Sequence, residues 1–225
     1  RQARHAGWPG KDRYVTFRKA IDPDPEQNLL AIPRKQRAMV RKGIKAGLTS
    51  VFDASIEGFY DAYSQSVHAL GTPVLPKCYF ELLQQVFGKK CDILTVSQNG
   101  SLVSSVMSFY FREEVLPYYG GGSQLARSVK GNDFMYWELM RHSCDQGLRF
   151  FDFGRSKKGS GSCSFKKNWG FEQIQLNYEY YLVKAREVPD ISPMNPKYQL
   201  FIKIWKTLPL SWTRLIGPLL ARNLG

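Results

Sequence analysis

The sequence predicts a mixed α/β (α+β) domain in which a mostly antiparallel sheet is flanked by helices. The first observation is the order of the apolar patterns, which reads strand, two helices, three-strand meander, helix, strand and final strand. The second is composition: 225 residues with 43% hydrophobic and 14% aromatic side chains can bury a core without disulfides or metals. The 23% of charged residues is too low for a coiled coil or a disordered chain.

The N-terminal part predicts one strand followed by a basic helix. Residues 14–18 have the β-branched and aromatic content of a strand, and a Pro-rich acidic stretch follows them. A lone strand is not stable by itself, so this part is interpreted as the end of something larger. Pro33 and Gly47 then bracket a helix.

The basic helix holds cations and no acid. At about 100° per residue, Arg34, Arg37, Arg41 and Lys45 form one stripe. Like charges four residues apart repel each other, so a polyanion bound along the stripe would relieve the repulsion. A merely solvated helix face explains the same pattern, and the sequence leaves both interpretations open.

The middle of the chain contains capping and turn residues that separate its elements. The predicted elements are a strand at 48–53, a helix from Ser55 to Gly71, a helix from Pro76 to Gly88, and strands at 92–97, 102–112 and 115–119. The turns between the last three strands are short, so an antiparallel meander is expected.

The C-terminal half begins with a glycine-rich break at 120–122. The elements predicted after it are a helix at 132–146, a strand at 148–153, a strand at 174–184 and a basic amphipathic segment at 197–222. This last segment can lie on an anionic membrane surface or pack over the domain's own core, and both interpretations remain open.

The net charge of +13 favours an acidic partner. Twelve basic and four acidic residues in the first fifty positions concentrate the excess at the N-terminal end. The four cysteines form no C-x-x-C pair, which predicts no zinc site, no disulfide framework and a reducing compartment. No apolar run reaches the roughly 18 residues of a membrane span. The chain is therefore expected to be cytoplasmic or an excised portion of a longer protein.

Several catalytic motifs are absent from the sequence. It contains no G-x-S-x-G elbow, no P-loop pattern and no H-E-x-x-H, and a G-x-G at Gly120 lacks its third glycine. Hydrolase triads, P-loop phosphoryl transfer and Rossmann dinucleotide binding are thereby excluded.

A loop with Arg127 and Lys130 leads into a predicted helix at Asn132. Such a helix N-terminus can bind an anionic group through its backbone N–H groups, although the pattern favours a purely structural turn. Further on, Asp152 shares the alternation of Leu148 and Phe150, which places a carboxylate on an apolar face. There it can accept a proton, or pair with Arg155 or a lysine in a structural role.

The segment after Asp152 is cationic and then interleaves basic and aromatic residues. Arg155 and Lys157 lie in a glycine- and serine-rich loop, and Phe165-Lys166-Lys167-Asn168-Trp169-Gly170 follows. This composition is typical of surroundings for a stacked, phosphorylated ligand.

At these residues the chain resembles the FemAB family of peptidoglycan interpeptide-bridge aminoacyltransferases, which have the GNAT acyltransferase fold. The matching segments, in order, are Arg37–Gly47, Tyr119-Gly-Gly-Gly122, Asn132 to Glu138, Gly147-Leu-Arg-Phe-Phe-Asp-Phe-Gly154 and Phe165–Gly170. The segments Met194–Tyr198 and Gly217–Gly225 are similar to the C-terminal signature of FemAB-like proteins associated with exosortase (PEP-CTERM) systems.

The resemblance implies the domain organisation. Family members carry two tandem GNAT-like domains, and this chain is expected to hold the second. Residues 1–33 would be the trailing segment of the preceding domain, 34–186 the GNAT-like acyltransferase domain, and 187–225 a basic amphipathic extension.

The resemblance also implies N-acyl transfer to an amine of a cell-envelope polysaccharide or peptidoglycan-type precursor, linked to exopolysaccharide or PEP-CTERM systems. Phe165 would stack near the donor, Lys166 would stabilise the leaving group, and Asp152 or Tyr119 would take the proton. The remaining donor-binding candidates are Arg127, Lys130, Asn132, Arg155 and Lys157.

Ser123–Lys130 lacks the Q/R-x-x-G-x-G/A pattern with which ordinary GNAT enzymes bind CoA, so the donor stays open between aminoacyl-tRNA and acyl-CoA. The expected partners are this donor, the amine acceptor, tRNA and an anionic inner-membrane surface, but not DNA; no bound cofactor or metal is expected. The alternative to an enzyme is a non-catalytic polyanion- or membrane-surface-binding module.

Overall fold

The computed structural model describes residues 5, 7–53, 55–188 and 196–222. Its eight strands form one sheet in the order β2-β3-β4-β5-β6-β1-β7, with β8 also paired to β1. The strands are β1 (Gly10–Ala20), β2 (Thr49–Asp53), β3 (Cys91–Gln98), β4 (Ser101–Phe111), β5 (Glu114–Gly122), β6 (Phe150–Asp152), β7 (Ser156–Lys157) and β8 (Glu172–Glu179). Within these described residues, every strand pair is antiparallel except β5 with β6, which confirms the predicted mostly antiparallel sheet.

Helices cover both faces of this sheet. They are α1 (Pro25–Ala31), α2 (Arg34–Lys45), α3 (Ile56–Leu70), α4 (Lys77–Phe87), α5 (Leu125–Val129), α6 (Gly131–Asp145), α7 (Gly161–Asn168), α8 (Pro196–Thr207) and α9 (Leu210–Ala221). Along β3, Ile93 belongs to one buried cluster and Leu94 to the other, as alternation across a strand requires. The helix α6 packs on the Leu94 face with α1, α2, α5 and α7, whereas α3 and α4 pack on the Ile93 face.

The N-terminal strand lies inside the sheet rather than at its margin. β1 pairs with β6 through Arg18↔Asp152 and with β8 through Thr16↔Ile174, antiparallel in both cases. Its buried residues, Val15 and Phe17, are fully enclosed in the α6-side core. Residues 10–20 are therefore part of the same folded unit as the rest of the sheet, while the assignment of 1–33 to a preceding domain stays a prediction.

Several predicted elements differ from the structure. The Pro-rich stretch contains the helix α1, the loop after β5 contains α5, and the basic-aromatic segment forms α7. The C-terminal amphipathic segment is two helices, because Pro209 interrupts the helical path and α9 begins directly after it. The predicted strand at 148–153 is only three residues long, and β8 begins at Glu172 and ends at Glu179.

The orientation of Asp152 also differs from the prediction. Phe151 and Phe153 are the buried residues of this segment, so Asp152 points to the opposite face, toward the side of α3 and α4. Because residues 150, 151 and 153 are all apolar, the sequence allowed either the even-numbered or the odd-numbered side chains to face the core. In the structure the odd-numbered ones, Phe151 and Phe153, pack in the core on the α6 side.

The glycines at the end of β5 allow the close approach of α3. A Cβ at Gly121 would clash with the carbonyl oxygen of Ala62 and lie 2.8 Å from the Ser66 Cβ. The backbone atom cannot yield without moving α3 away from the sheet. We conclude that any side chain at this position forces helix and strand apart.

We therefore expect Gly121→Ala to lower the free energy of unfolding by about 1–3 kcal/mol, the usual cost of overpacking a core. Gly161→Ala provides the matched control, because a Cβ there meets no atom within 4 Å. Urea denaturation of both variants measures the difference. Equal stability of the two variants would contradict the close packing of α3 on β5.

Candidate active site

The candidate site is a gap between β5 and β6. Parallel pairing joins only Glu114 to Phe150 and Val115 to Phe151. β5 then continues to Gly122 along β4, so from Leu116 onward its other edge has no strand partner in the described parts of the chain. An unpaired strand edge offers N–H and C=O groups to an extended, amide-bearing ligand.

A β-bulge lies in β5 just beyond its pairing with β6. Met107 pairs with Tyr119 and Ser108 with Pro117, which leaves Tyr118 as an extra residue in β5. Bulges bend a strand and increase its local twist, and they are frequent beside active sites. The bulge lies three residues beyond Val115, the last residue of β5 that pairs with β6.

Asp152 lies on the β6 side of the gap. Its Oδ1 accepts hydrogen bonds from Thr16 Oγ1 at 2.8 Å and from the Gly154 N–H at 2.7 Å. It does not pair with Arg155, one of the partners that the sequence suggested, because the Arg155 guanidinium lies over Tyr14 at 4.6 Å and donates to Tyr178 Oη at 3.2 Å. Thr16 was not identified from the sequence; only the pairing of β1 with β6 brings it to Asp152.

Lys166 extends from α7 to the loop that follows β6. Its Nζ donates to the carbonyl oxygens of Phe153, Gly154 and Arg155, at 2.5, 3.1 and 3.4 Å respectively. Burial lowers the pKa of Lys166 to about 8, although the charge of Asp152 opposes this shift. At neutral pH the ammonium is present but releases its proton more readily than an exposed lysine.

Tyr119 faces the same side of the sheet as Asp152. Its hydroxyl forms a hydrogen bond of 2.9 Å with Tyr79 Oη, and its ring packs at 5.2 Å from that of Phe80. Burial, and then the bond to Tyr79, raise the pKa of Tyr119. The phenol therefore keeps its proton at neutral pH and is available as a hydrogen-bond donor, whereas the proton-accepting role that the sequence suggested stays a prediction.

Phe165 lies with the aromatic core of the α6 side. Its ring is 5.6 Å from Tyr136, 6.2 Å from Trp169 and 6.5 Å from Phe153. This cluster fixes α7 and thereby the position from which Lys166 reaches the loop. The stacking of Phe165 on a donor stays a prediction.

The remaining candidates divide between two places. Arg127 lines an open cleft of about 700 Å³ between α3, the end of β5 and α9. Lys130 stands at the junction of α5 and α6, where its Nζ donates to the Arg127 carbonyl at 3.1 Å, and Asn132 is exposed in the first turn of α6. Lys157 belongs to β7, opposite Tyr14 of β1, so Arg155 and Lys157 lie apart from Arg127 in the fold.

The start of α6 carries its own anion. Gln36 of α2 donates to the carboxylate of Asp133 in the first turn of α6, and burial raises the pKa of Asp133 to about 6. A carboxylate at this position interacts favourably with the helix dipole.

Within the residues that the structure describes, no group of three or more His, Cys, Asp or Glu side chains could hold a metal ion.

Residues 34–167 match the family model described as "Acetyltransferase (GNAT) domain". No curated protein matches the sequence.

Solved structures share the fold. FemX superposes with a TM-score of 0.66 at 17% identity, covering 84% of this chain and 64% of FemX. L-PGS from Bacillus licheniformis superposes at 0.57 and 14% identity, covering 90% of this chain and 68% of that protein. A GCN5-related N-acetyltransferase from Sphaerobacter thermophilus superposes at 0.51 and 13% identity, with 77% and 53% covered. The chain thus spans less than two thirds of FemX.

The buried position of Lys166 generates a pH-dependent prediction. Between its folded pKa of about 8 and the ordinary value of 10.5, the unfolded chain binds the extra proton, so this lysine makes the free energy of unfolding rise with pH. We expect Lys166→Met to lack this rise. Urea denaturation at closely spaced pH values from 7 to about 10.5 measures the free energy of unfolding of both proteins. If the difference between wild type and variant did not change with pH, the burial of the ammonium would be contradicted.

Proposed function

The chain belongs to the acetyltransferase (GNAT) domain family, and we propose that it transfers an acyl or aminoacyl group to an amine. The observation that carries this proposal is the position of the Lys166 ammonium beside the gap, close to Asp152 and held by the loop after β6. The donor's reactive carbonyl lies at the gap, beside the free edge of β5.

The proposed reaction has two proton transfers, and the residues for both, Asp152 and Lys166, lie on the β6 side of the gap. The acceptor nitrogen attacks the donor carbonyl carbon, an N–C bond forms, and Asp152 Oδ2 takes the ammonium proton, since Oδ1 already accepts two hydrogen bonds. Tyr119 donates to the oxyanion. When the carbonyl re-forms, the bond to the leaving oxygen or sulfur breaks, and Lys166 Nζ supplies a proton to that atom from the N–H that contacts the Arg155 carbonyl at 3.4 Å, the longest of its three hydrogen bonds.

The acceptor in this proposal is an amine of a cell-envelope polysaccharide or peptidoglycan-type precursor, in an exopolysaccharide or PEP-CTERM setting. It rests on the ordered family motifs from Arg37 to Gly170. Part of the C-terminal signature, at residues 194–195 and 223–225, lies outside the described residues.

For the donor we propose an aminoacyl-tRNA, supported by the surface of α2. Arg34, Lys35, Arg41, Lys42 and Lys45 are exposed, and neither they nor Arg37 form an ion pair within the described ranges. The helix lies against the start of α6, because a Cβ at Gly43 would be 2.8 Å from the Phe134 Cβ and 3.3 Å from the Lys130 carbonyl oxygen. The exposed cations therefore lie on a helix that is fixed beside the junction that holds Lys130, and together they offer a track for a polyphosphate.

The unpaired cations of α2 also favour a second candidate, a non-catalytic module that holds a polyanion. The two functions differ in product formation. Purified chain is incubated with aminoacyl-tRNA or acetyl-CoA and with amine acceptors, namely amino sugars and lysine-containing peptides, and products are detected by mass spectrometry. Salt-sensitive tRNA binding without product from any donor would favour the binding module.

Lys166→Met tests the catalytic assignment. We expect kcat to fall by about 10²- to 10⁴-fold, the usual contribution of a positioned proton donor, with little change in donor affinity. Lys167→Met is the matched control, because it removes the exposed lysine at the next position of α7. Unchanged turnover of the Lys166 variant with a verified donor and acceptor would refute the role of Lys166.

The tRNA track is tested with Arg41→Gln/Lys45→Gln. We expect weaker tRNA binding and a salt dependence less steep by about 0.7–0.9 logarithmic units for each phosphate that the variant no longer neutralises. The control is Lys89→Gln/Lys90→Gln, which removes two exposed cations from the short turn before β3. Identical salt slopes for the two double variants, in filter-binding titrations at several salt concentrations, would exclude α2 as the track.

A further inference from the structure

The two C-terminal helices are fixed to the domain by their inner faces. Trp205 of α8 is buried, and its Nε1 donates to the Thr72 carbonyl at 3.1 Å. Arg214 of α9 donates to Asp61 Oδ1 and Ser64 Oγ of α3, both at 2.6 Å. A Cβ at Gly217 would lie 2.8 Å from backbone atoms of Val74, so α9 is in direct contact with the segment before α4.

The outer faces of the same helices are apolar and uncovered. In α9, Trp212, Leu215 and Leu219 are 62%, 77% and 60% exposed. Their spacing of three and four residues places them on one stripe, opposite Gly217. The other exposed large hydrophobic residues of the pair are Leu200, Phe201, Ile204 and Leu220. Exposed large apolar residues grouped on neighbouring helices in this way mark an interaction site.

The charged residues of α8 and α9 themselves have one sign. No Asp or Glu occurs after Asp190 in the sequence. Lys203 and Lys206 of α8 and Arg222 after α9 are exposed beside the apolar residues. Apolar residues with Trp on one face, bordered by cations, are typical of helices that lie in the interface of an anionic bilayer.

The dimensions agree with a position on the membrane rather than across it. Each helix has 12 residues, which is about 18 Å, against a hydrocarbon core of about 30 Å. Within the described residues, no helix is both long and apolar enough to cross a membrane.

We propose that the outer face of α8 and α9 binds an anionic lipid surface and holds the domain against it. A second copy of the chain is the poorer occupant, because a symmetric dimer through this face brings identical patches, with the same cations, against each other. Anionic headgroups neutralise these cations, while the Trp and Leu side chains enter the acyl boundary. This inference requires no acyl transfer and stands independently of the proposed function.

Cosedimentation with vesicles tests the proposal. The chain should bind vesicles of phosphatidylglycerol and phosphatidylcholine in equal parts, and bind pure phosphatidylcholine far more weakly. Trp212→Ser/Leu215→Ser/Leu219→Ser should weaken binding about tenfold or more, because it removes the apolar contact. Lys203→Gln/Lys206→Gln should weaken it about fivefold for each charge.

The matched control is Leu82→Ser/Val86→Ser on α4, which removes side chains that are 55% and 68% exposed far from the C-terminal pair in sequence. This variant should bind as wild type does, and urea denaturation verifies that each variant folds. Failure of wild type to bind anionic vesicles, equal binding to neutral vesicles, or undiminished binding by the triple variant would overturn the proposal. The proposal would also be overturned if the wild-type chain did not bind vesicles but formed a dimer in sedimentation velocity, and the triple variant abolished that dimer.

Discussion

The departure of β5 from β6 is the constraint on which the candidate site depends. Tyr118 is the extra residue that bends β5, and packing on both faces keeps the bent end in place. On one face Gly121 touches the Ala62 carbonyl of α3; on the other a Cβ at Gly122 would lie 2.7 Å from the Ala126 Cβ of α5. Because neither contact leaves room for a side chain, the gap is part of the rigid core and not a loop feature.

The opposite side of the gap is held by the N-terminal strand. β1 lies between β6 and β8, and its Thr16 hydroxyl orients the Asp152 carboxylate. Arg18 donates to Glu114 Oε1 at 3.0 Å, which connects β1 to the start of β5 across β6. A three-residue strand such as β6 has few hydrogen bonds of its own, so its position is determined by these neighbours. The site is thus built from residues more than a hundred positions apart.

The sequence predicted the elements with strong periodicity and clear caps, and missed those that depend on tertiary contacts. Pro33, Gly47, Gly71 and Gly88 delimited α2, α3 and α4 because these residues act locally. The five-residue α5 and the eight-residue α7 are too short to be stable alone, and packing of Ala126 and Phe165 on the α6-side core determines them. Likewise, the sequence identified Lys166 and Asp152 as candidate site residues. It did not predict the three carbonyl oxygens that bind Lys166 or the contact of Thr16 with Asp152, because these depend on the order of the strands, which no local pattern encodes.

The two charged surfaces of the molecule lie on opposite faces of the sheet. The helix α2 packs with α6 on one face, whereas α8 and α9 pack on α3 on the other. The gap between β5 and β6 is an opening in the sheet that separates them. A polyanionic donor bound along α2 and an acceptor anchored in a lipid surface under α8 and α9 would therefore approach the gap from opposite sides. Under the proposed function, both substrates would then be large without competing for the same surface, because only the reacting carbonyl and amine would need to meet between Tyr119 and Asp152.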